Sequence, residues 1–353
     1  MGLFTFDVVP RVYLGIDIGS TALRVVEISG WGEDRRTLKN YGELHIRTLY
    51  EKPFRSFEKN ALMLSTRDIA RAIRGIMEEA GMKEKNAIFS ISDYSSFFTN
   101  FELPAMDEKE LSDAIRFEAR RHVPLPLAEV VLDWQILEKR KKKQDPFKVL
   151  LVAVPKEVVH HYEEIARLAK LKLIAMEAEV FGGIRVALKE EKYPAILIDI
   201  GSHTTTVSVV YKGLLRISHS IDTGGNSFTE RIAQSLSLDY NEAEKKKKAE
   251  GMQISAGNVR ILLPVVDVIL LEIRKVLENF RRIEPEEVRK IVLTGGSASM
   301  VGLAEYLERQ TRLKTEALDP FRDMLYPPIL ESRLKESGSS YTVAIGMALR
   351  GFD

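Results

Sequence analysis

Short apolar runs rich in β-branched residues alternate along the chain with segments in which apolar residues recur every three or four positions. The first pattern predicts strands and the second predicts amphipathic helices. Near the start, an apolar run ends in Asp17, a Gly-Ser-Thr turn follows, and a second β-branched run predicts the other arm of a hairpin. A matching hairpin surrounds Asp199. Because the two copies lie about half a chain apart, they predict an internally duplicated, two-lobe α/β fold.

The remaining elements follow from the same periodicities, with proline and glycine marking their ends. Predicted helices cover residues 67–81, 108–122, 155–169, 241–250, 263–281 and 342–349, and another begins at 224–226. Predicted strands cover residues 87–91, 97–103, 130–137, 149–154, 171–176 and 290–294. The basic stretch 139–143 predicts a solvated hairpin loop rather than a lipid contact.

Composition narrows the class of protein. The chain has 353 residues, a formal net charge of +1 and no cysteine. A charge this small creates no global field for nucleic acid, and the lack of thiols excludes disulfides and cysteine-ligated zinc. No apolar run approaches the roughly 20 residues of a membrane span, and no secretory signal pattern opens the chain. We therefore expect a cytoplasmic protein without a nucleic-acid partner.

The two aspartate hairpins suggest phosphate chemistry. Glycine-containing turns point several backbone N–H groups outward, where they bind anions. Asp17 and Asp199 are expected to face each other across a cleft, and two carboxylates there suit Mg²⁺ with a bound triphosphate. Arg24 is placed to neutralise a phosphate. Taken singly, each turn fits an ordinary Asx turn equally well.

Other candidate sites are weaker. Gly295, Gly296 and Ser297 follow an apolar strand and predict a third loop where a ligand approaches bare backbone, although such turns are often purely structural. His160 and His161 lack further ligands at metal-binding spacing, so no zinc site is expected. No serine-histidine-acid arrangement or nucleophile elbow is evident.

The three loops, in this order, resemble the phosphate 1, phosphate 2 and adenosine motifs of the actin, sugar kinase and heat-shock chaperone superfamily. Within it the chain resembles the PilM family of type IV pilus assembly proteins, with the FtsA cell-division family next. The features that carry this choice are Phe101–Pro104 with the following acidic-start helix and Pro-x-Pro turn, the segment 177–180, the loop 222–226 and the C-terminal stretch 341–351.

The resemblance implies a binding site for ATP and Mg²⁺, with the metal held by Asp17 and Asp199. The implied nucleotide contacts are Asp17, Gly19, Ser20, Thr21, Arg24, Asp199, Gly201, Ser202, His203, Thr204, Gly224, Gly225, Asn226, Glu244, Lys247, Gly295, Gly296 and Ser297. Glu179 matches the acidic residue that orients an attacking water. The resemblance implies binding more firmly than hydrolysis, and Val180 departs from the usual proline. Ser297 stands where a third glycine is common, which reduces the room for the purine. Glu244 and Lys247 fit a solvated lysine-rich helix equally well.

The implied function is that of an actin-like scaffold at the inner membrane, peripheral to it through its partners and able to self-associate into a ring. The implied partner is the N-terminal cytoplasmic peptide of a PilN-like membrane protein, held between the first lobe and an inserted subdomain. Its groove would be lined by Phe98, Phe101, Ile115, Phe117, Glu118 and Arg121, which fit the insert's own core equally well. An FtsA-like division protein is the alternative. It is disfavoured because FtsA-like chains carry a C-terminal amphipathic membrane anchor, whereas this chain stops at Asp353 directly after its last helix. A small-molecule kinase is a weaker alternative, since no general base is evident.

The fold class that follows is α/β, an actin-like, ribonuclease H-like duplicated ATPase fold with a small inserted subdomain. The expected first lobe comprises residues 1–91, 173–192 and 330–353, with the insert at 92–172. The expected second lobe has its core at 193–230 and 285–329 and a helical subdomain at 231–284.

Overall fold

The computed structural model describes residues 10–31, 35–45, 65–138, 142–253 and 259–353, and the backbone of 57–58 and 61–62. The strands are β1 (Arg11–Ile18), β2 (Ala22–Trp31), β3 (Arg35–His45), β4 (Phe57–Glu58), β5 (Ala61–Leu62), β6 (Asn86–Ile91), β7 (Phe97–Leu103), β8 (Val130–Ile136), β9 (Phe147–Pro155), β10 (Lys172–Ala178), β11 (Ala195–Ile200), β12 (Thr205–Tyr211), β13 (Leu214–Ile221), β14 (Lys290–Thr294) and β15 (Lys314–Ala317). Residues 139–141 of the basic stretch lie outside the described residues.

The helices are α1 (Thr66–Glu79), α2 (Glu108–His122), α3 (Lys156–Leu168), α4 (Glu179–Ala187), α5 (Gly225–Leu236), α6 (Tyr240–Glu250), α7 (Val259–Ile283), α8 (Leu303–Thr311), α9 (Glu331–Ser337) and α10 (Thr342–Arg350). The helices and strands predicted from periodicity are confirmed, with shifts of a few residues at their ends. Local signals explain both ends of α1: the Ser65 hydroxyl accepts a hydrogen bond from the Asp68 N–H at its start, and Gly81 takes a φ of +67° just after its end. Among the described residues, no helix is both long and apolar enough to cross a membrane.

The two large sheets repeat one topology, which confirms the predicted duplication. The first has the order β3-β2-β1-β6-β10 and the second the order β13-β12-β11-β14-β15. In each, the first three strands form an antiparallel meander and the last two run parallel to the central strand. The central strands are buried over residues 14–18 of β1 and over all of β11 except Asp199, which explains the apolar runs there.

Two helices cross where the lobes join. A Cβ on Gly346 of α10 would lie 2.3 Å from the carbonyl oxygen of Gly182 in α4, so only glycine permits this approach. Helix α10 also packs on β1, where a Cβ on Gly15 would overlap the backbone of Ala344. The crossing places the two large sheets on either side of one cleft.

The insert is a three-stranded sheet with the order β7-β9-β8, covered on one face by α2. Its opposite face contributes Leu150 and Phe98 to a cluster shared with β11, β12 and β13 of the second lobe. Helix α3, which the sequence grouped with the insert, instead packs with α1 in the core of the first lobe through Tyr162 and Ile165.

The C-terminal part of the chain returns to the first lobe before residue 330. Phe321 is buried with Val26 and Ile28 of β2. The backbone of Leu325 exchanges hydrogen bonds with β3, donating to the Arg36 carbonyl and accepting from the Leu38 N–H. The second lobe has its own core, formed by α5, α6, α7 and α8 against the second sheet.

Candidate functional site

The two aspartate hairpins meet across the cleft, as their spacing predicted. Each turn is closed by a backbone hydrogen bond, from Gly19 N to Ala22 O at 3.0 Å and from Gly201 N to Thr204 O at 2.9 Å. The hydroxyl of Ser202 lies 3.2 Å from that of Ser20 and 2.5 Å from that of Thr21. Residues 182 positions apart in sequence therefore share one site.

Asp17, at the end of β1, is held from two sides. Its carboxylate accepts a hydrogen bond from the Ser90 hydroxyl at 2.9 Å and lies 3.8 Å from the Arg24 guanidinium. Burial raises the pKa of Asp17, although Arg24 and Ser90 act in the opposite direction. Arg24 also contacts Glu43 at 3.3 Å. Arg24, the predicted phosphate ligand, is thus engaged by two carboxylates, those of Asp17 and Glu43.

Three further carboxylates line a small cavity between the lobes: Asp93, Glu179 and Asp199. Burial raises the pKa of Asp199 to about 7, and the negative charge of Asp17 adds to the rise. The pKa of Glu179 is raised well above its usual value by burial and by the charges of Asp93, Asp17 and Asp199. A carboxylate cluster of this kind favours either protons or a cation.

Asp93 is a site residue that the sequence reasoning missed. It follows β6, and its carboxylate accepts the Val180 N–H at 3.1 Å while its own N–H donates to the Glu179 carboxylate at 3.2 Å. Burial raises the pKa of Asp93 to about 8. A signal was present, because polar residues just after parallel strands gather at one edge of a sheet. Strand β6 of the first sheet corresponds to β14 of the second, so Asp93 occupies the position that the glycine loop has in the second lobe.

The predicted glycine loop adjoins the second aspartate hairpin. Gly295 has a φ of +91°, and a Cβ there would lie 2.3 Å from the Asp199 carboxylate, so glycine is required on both counts. The Ser297 N–H donates to the Ile200 carbonyl at 3.2 Å. A Cβ on Gly296 would meet nothing within 4 Å, which leaves an open backbone surface beside the cleft.

Glu244 and Lys247 pair against α5 rather than forming a solvated stretch, with Lys247 buried and Glu244 half-buried. Their charged groups lie 2.7 Å apart, and the Lys247 ammonium donates to the Gly225 carbonyl at 3.0 Å. The Thr229 hydroxyl bonds the Glu244 carboxylate. Burial would raise the pKa of Glu244, but Lys247 and Thr229 outweigh it and the pKa is lowered. A Cβ on Gly225 would lie 2.5 Å from the Ser297 hydroxyl, so this pair borders the glycine loop.

The loop that begins α5 docks on the second hairpin. The N–H groups of Gly225 and Asn226 donate to the carbonyls of Gly201 and Ser202, both at 2.8 Å. The Asn226 amide lies 3.1 Å from a ring nitrogen of His203 and accepts from the Tyr240 hydroxyl at 2.7 Å. A Cβ on the neighbouring Gly224 would lie within 2.8 Å of the Ser202 backbone. The predicted residues 201–204 and 224–226 therefore form one unit.

The predicted peptide groove is not assembled as expected. Phe98 and Phe101 lie on opposite faces of β7: Phe98 meets Phe181 of α4, whereas Phe101 stacks on His122 of α2. Ile115 is fully buried in the insert's own core. Phe117 projects outward and is 66% exposed. The alternative reading, that these positions serve the insert's core, holds for Ile115 and Phe101.

The comparison with known proteins identifies the family. The family model of the Type IV pilus assembly protein PilM matches residues 15–352. The chain belongs to this family. A solved structure described as a PilM-PilN type IV pilus biogenesis complex superposes with a TM-score of 0.83 at 26% sequence identity, covering 97% of this chain and 98% of that one. The order of the three loops had indicated the actin-like superfamily, and the segments 101–104, 177–180, 222–226 and 341–351 had indicated the PilM family within it.

More distant relatives share the fold. The cell division protein FtsA of Bacillus subtilis is 22% identical over 366 aligned positions, covering 90% of this chain and 81% of FtsA. The structure of MreB5 of Spiroplasma citri bound to AMPPNP superposes with a TM-score of 0.53 at 12% identity, covering 97% of this chain and 96% of MreB5. These likenesses establish an actin-like two-lobe architecture. The match to FtsA is weaker than the match to the PilM family.

Proposed function

We propose that this protein is an actin-like scaffold of a type IV pilus assembly platform that binds Mg-ATP between its lobes and captures the N-terminal peptide of a PilN-like inner-membrane protein. The match to the PilM family over residues 15–352 carries the proposal. A location in the cytoplasm, peripheral to the inner membrane, and self-association into a ring belong to the same proposal.

The residues of the cleft fit a magnesium-bound triphosphate. Gly19 and Gly201 shape turns whose N–H groups suit phosphate oxygens, and the hydroxyls of Ser20, Thr21 and Ser202 converge between them. Burial raises the pKa values of Glu179 and Asp199, the charge of Asp17 adds to both rises, and a divalent cation would relieve that repulsion. Within the described residues no three His, Asp or Glu side chains form a complete metal cluster, so phosphate oxygens and water would supply the other ligands.

The glycine loop fits the nucleoside. Gly296 offers open backbone for a flat purine, and the Glu244–Lys247 pair borders it at a position suited to the ribose. The same fold holds AMPPNP in MreB5. The direct contacts of Ser20 and Thr21 with Ser202 leave no room for phosphates between them, so binding requires the two turns to separate.

Glu179 stands at the start of α4, where its carboxylate lines the cavity and is held by the Asp93 N–H. In the proposed function it orients the water that attacks the terminal phosphate. Burial and the neighbouring carboxylates raise the pKa of Glu179 and so oppose its ionisation, which a cation in the cleft would favour. This suits slow hydrolysis and a role for the nucleotide as a conformational ligand.

Nucleotide binding is tested by calorimetric titration of the full chain with ATP, with Mg²⁺ and then with excess chelator. We expect binding only with the metal and a loss of about tenfold or more in Asp199→Asn, because a charge-assisted contact is removed. The matched control is Asp113→Asn, an exposed aspartate on α2. Equal affinity in wild type and Asp199→Asn would contradict the proposed metal site.

The partner peptide is proposed to lie between the insert and the first lobe, along the edge strand β8. This strand adjoins α3, and its outer edge offers backbone groups for an added strand. Val131 is 43% exposed on the face of β8 that carries Val154 of β9, the face turned toward the first lobe. An apolar peptide residue would pack there.

Titration of the full chain with synthetic N-terminal peptides of PilN-like proteins, with and without Mg-ATP, tests this site. Val131→Asp should abolish binding, whereas Leu271→Asp on α7, similarly exposed in the second lobe, should not. Peptide affinities weaker than about 1 mM in both nucleotide states would contradict the pilus proposal.

A further inference from the structure

The outer face of α2 carries an aromatic side chain among arginines. Phe117 is 66% exposed, and the Arg120 guanidinium lies 6.0 Å from the centre of its ring. Arg116 and Arg121 flank it one residue before and four residues after, and both are exposed. We call Arg116, Phe117, Arg120 and Arg121 the α2 face.

The α2 face is turned away from the rest of the molecule. Ile115, Ala119 and Val123 bury the other side of α2 against the insert's sheet, and that sheet contacts the lobes through its opposite face. The chain then continues through an exposed Pro-Leu-Pro turn in which Leu125 is 37% exposed. The result is an outward helix surface with apolar and cationic groups side by side.

Its positive charge is only partly neutralised within the protein. Arg121 lies 3.4 Å from Glu118, which also contacts His122, and Asp113 is exposed one turn earlier. In the part of the chain that the structure describes, neither Arg116 nor Arg120 forms an ion pair. The last two turns of α2 therefore present at least two free guanidinium groups around Phe117.

We infer that the α2 face binds the anionic phospholipid surface of a membrane, with Phe117 entering the headgroup layer and the arginines pairing with lipid phosphates. An outward helix face with a projecting aromatic side chain suits a planar surface, whereas a peptide would need a groove. The charge is complementary, since basic side chains near an anionic bilayer each strengthen binding and aromatic rings favour the interfacial layer. This inference does not depend on nucleotide or peptide binding.

The expected affinity is low. Two arginines without an ion pair and one aromatic ring give half-saturation above about 1 mM accessible lipid, so the contact reinforces an association that a membrane-anchored partner already provides. Binding should weaken with added salt, because the charges are exposed.

The test is co-sedimentation of the full chain with vesicles of phosphatidylglycerol and phosphatidylethanolamine, with phosphatidylcholine vesicles in parallel. We expect salt-sensitive binding to the anionic vesicles only. Arg116→Glu with Arg120→Glu should lower the partition coefficient by more than about tenfold, and Phe117→Ser by several fold. The matched control is Arg281→Glu with Arg282→Glu, an exposed pair in the last turn of α7 that changes net charge equally.

All four positions of the two double variants are exposed, so each protein should fold, which melting temperatures verify. Absence of wild-type binding would overturn the inference. So would equal losses in the two double variants, since binding would then follow net charge alone, or full binding by Phe117→Ser.

Discussion

Asp93 acts on its neighbours through two hydrogen bonds. Its place just after β6 is a signal for the site, but no local sequence pattern predicts these two bonds. Its carboxylate accepts an N–H from the first turn of α4, and its backbone fixes the Glu179 carboxylate in the cavity. Asp17 and Asp199, by contrast, were evident from their turns. Residues within a short motif can be predicted, whereas a residue whose partners are 86 and 87 positions away depends on strand pairing.

At residue scale, Asp93→Asn should stabilise the protein without nucleotide. The amide still accepts from Val180, but it removes a carboxyl whose pKa is raised from 3.8 to about 8. The protonated Asp93 carboxyl contributes stability that is fully present below its unfolded pKa of 3.8 and is lost as pH rises through its folded pKa of about 8. The advantage of the variant in unfolding free energy should therefore grow from pH 4 to pH 8, by at most about 1.4 kcal/mol per pH unit, and then level off.

Denaturant unfolding of both proteins across this pH range measures the difference. Asp113→Asn, at an exposed position of α2, is the control and should follow wild type throughout. A constant offset between Asp93→Asn and wild type at every pH would contradict the assigned burial of the charge.

At the scale of elements, the two glycines of the loop after β14 serve different purposes: one is required by the protein's own packing, and the other leaves space for a ligand. Gly295 needs its positive φ and its missing side chain, because Asp199 lies against it. Gly296 has space around it, so the protein itself does not require glycine there. The pattern Gly-Gly-Ser predicted the loop, but only the packing distinguishes the structural glycine from the one available to a ligand.

Gly296→Ala should leave stability within about 0.5 kcal/mol of wild type and lower ATP affinity about tenfold, because the methyl group enters the space assigned to the purine. Gly295→Ala should destabilise the protein by about 1–3 kcal/mol through its φ and its contact with Asp199. Unfolding curves and ATP titrations separate the two. Unchanged ATP affinity in Gly296→Ala would show that the purine does not lie against Gly296.

At the scale of the whole molecule, the insert is joined to the second lobe by a buried arginine. Arg216 of β13 is 2% exposed and lies 3.2 Å from Glu138 of the insert and 3.4 Å from Glu284 after α7. The Asn100 amide of β7 donates to the Arg216 carbonyl. Burial of a charge at such a junction is tolerated because acidic partners from two modules reach it.

Arg216→Met should cost about 3 kcal/mol of unfolding free energy, since Glu284 is left buried without its partner. Adding Glu284→Gln should restore part of this loss, and a double-mutant cycle measures the coupling. Strictly additive effects would show that the two groups do not interact.

The sequence by itself determined the elements, the duplication and the family, because periodicity, turns and glycines act over a few residues and two copies of one motif reveal their own symmetry. The sequence also implied that Phe98 and Phe101 point to opposite faces of their strand, since strand residues three positions apart do so. Only the tertiary structure decided that α3 packs with α1, that Asp93 supports Glu179 and that Lys247 is buried beside Gly225. Those contacts depend on the docking of surfaces far apart in sequence, and docking is decided by shape and desolvation rather than by local pattern.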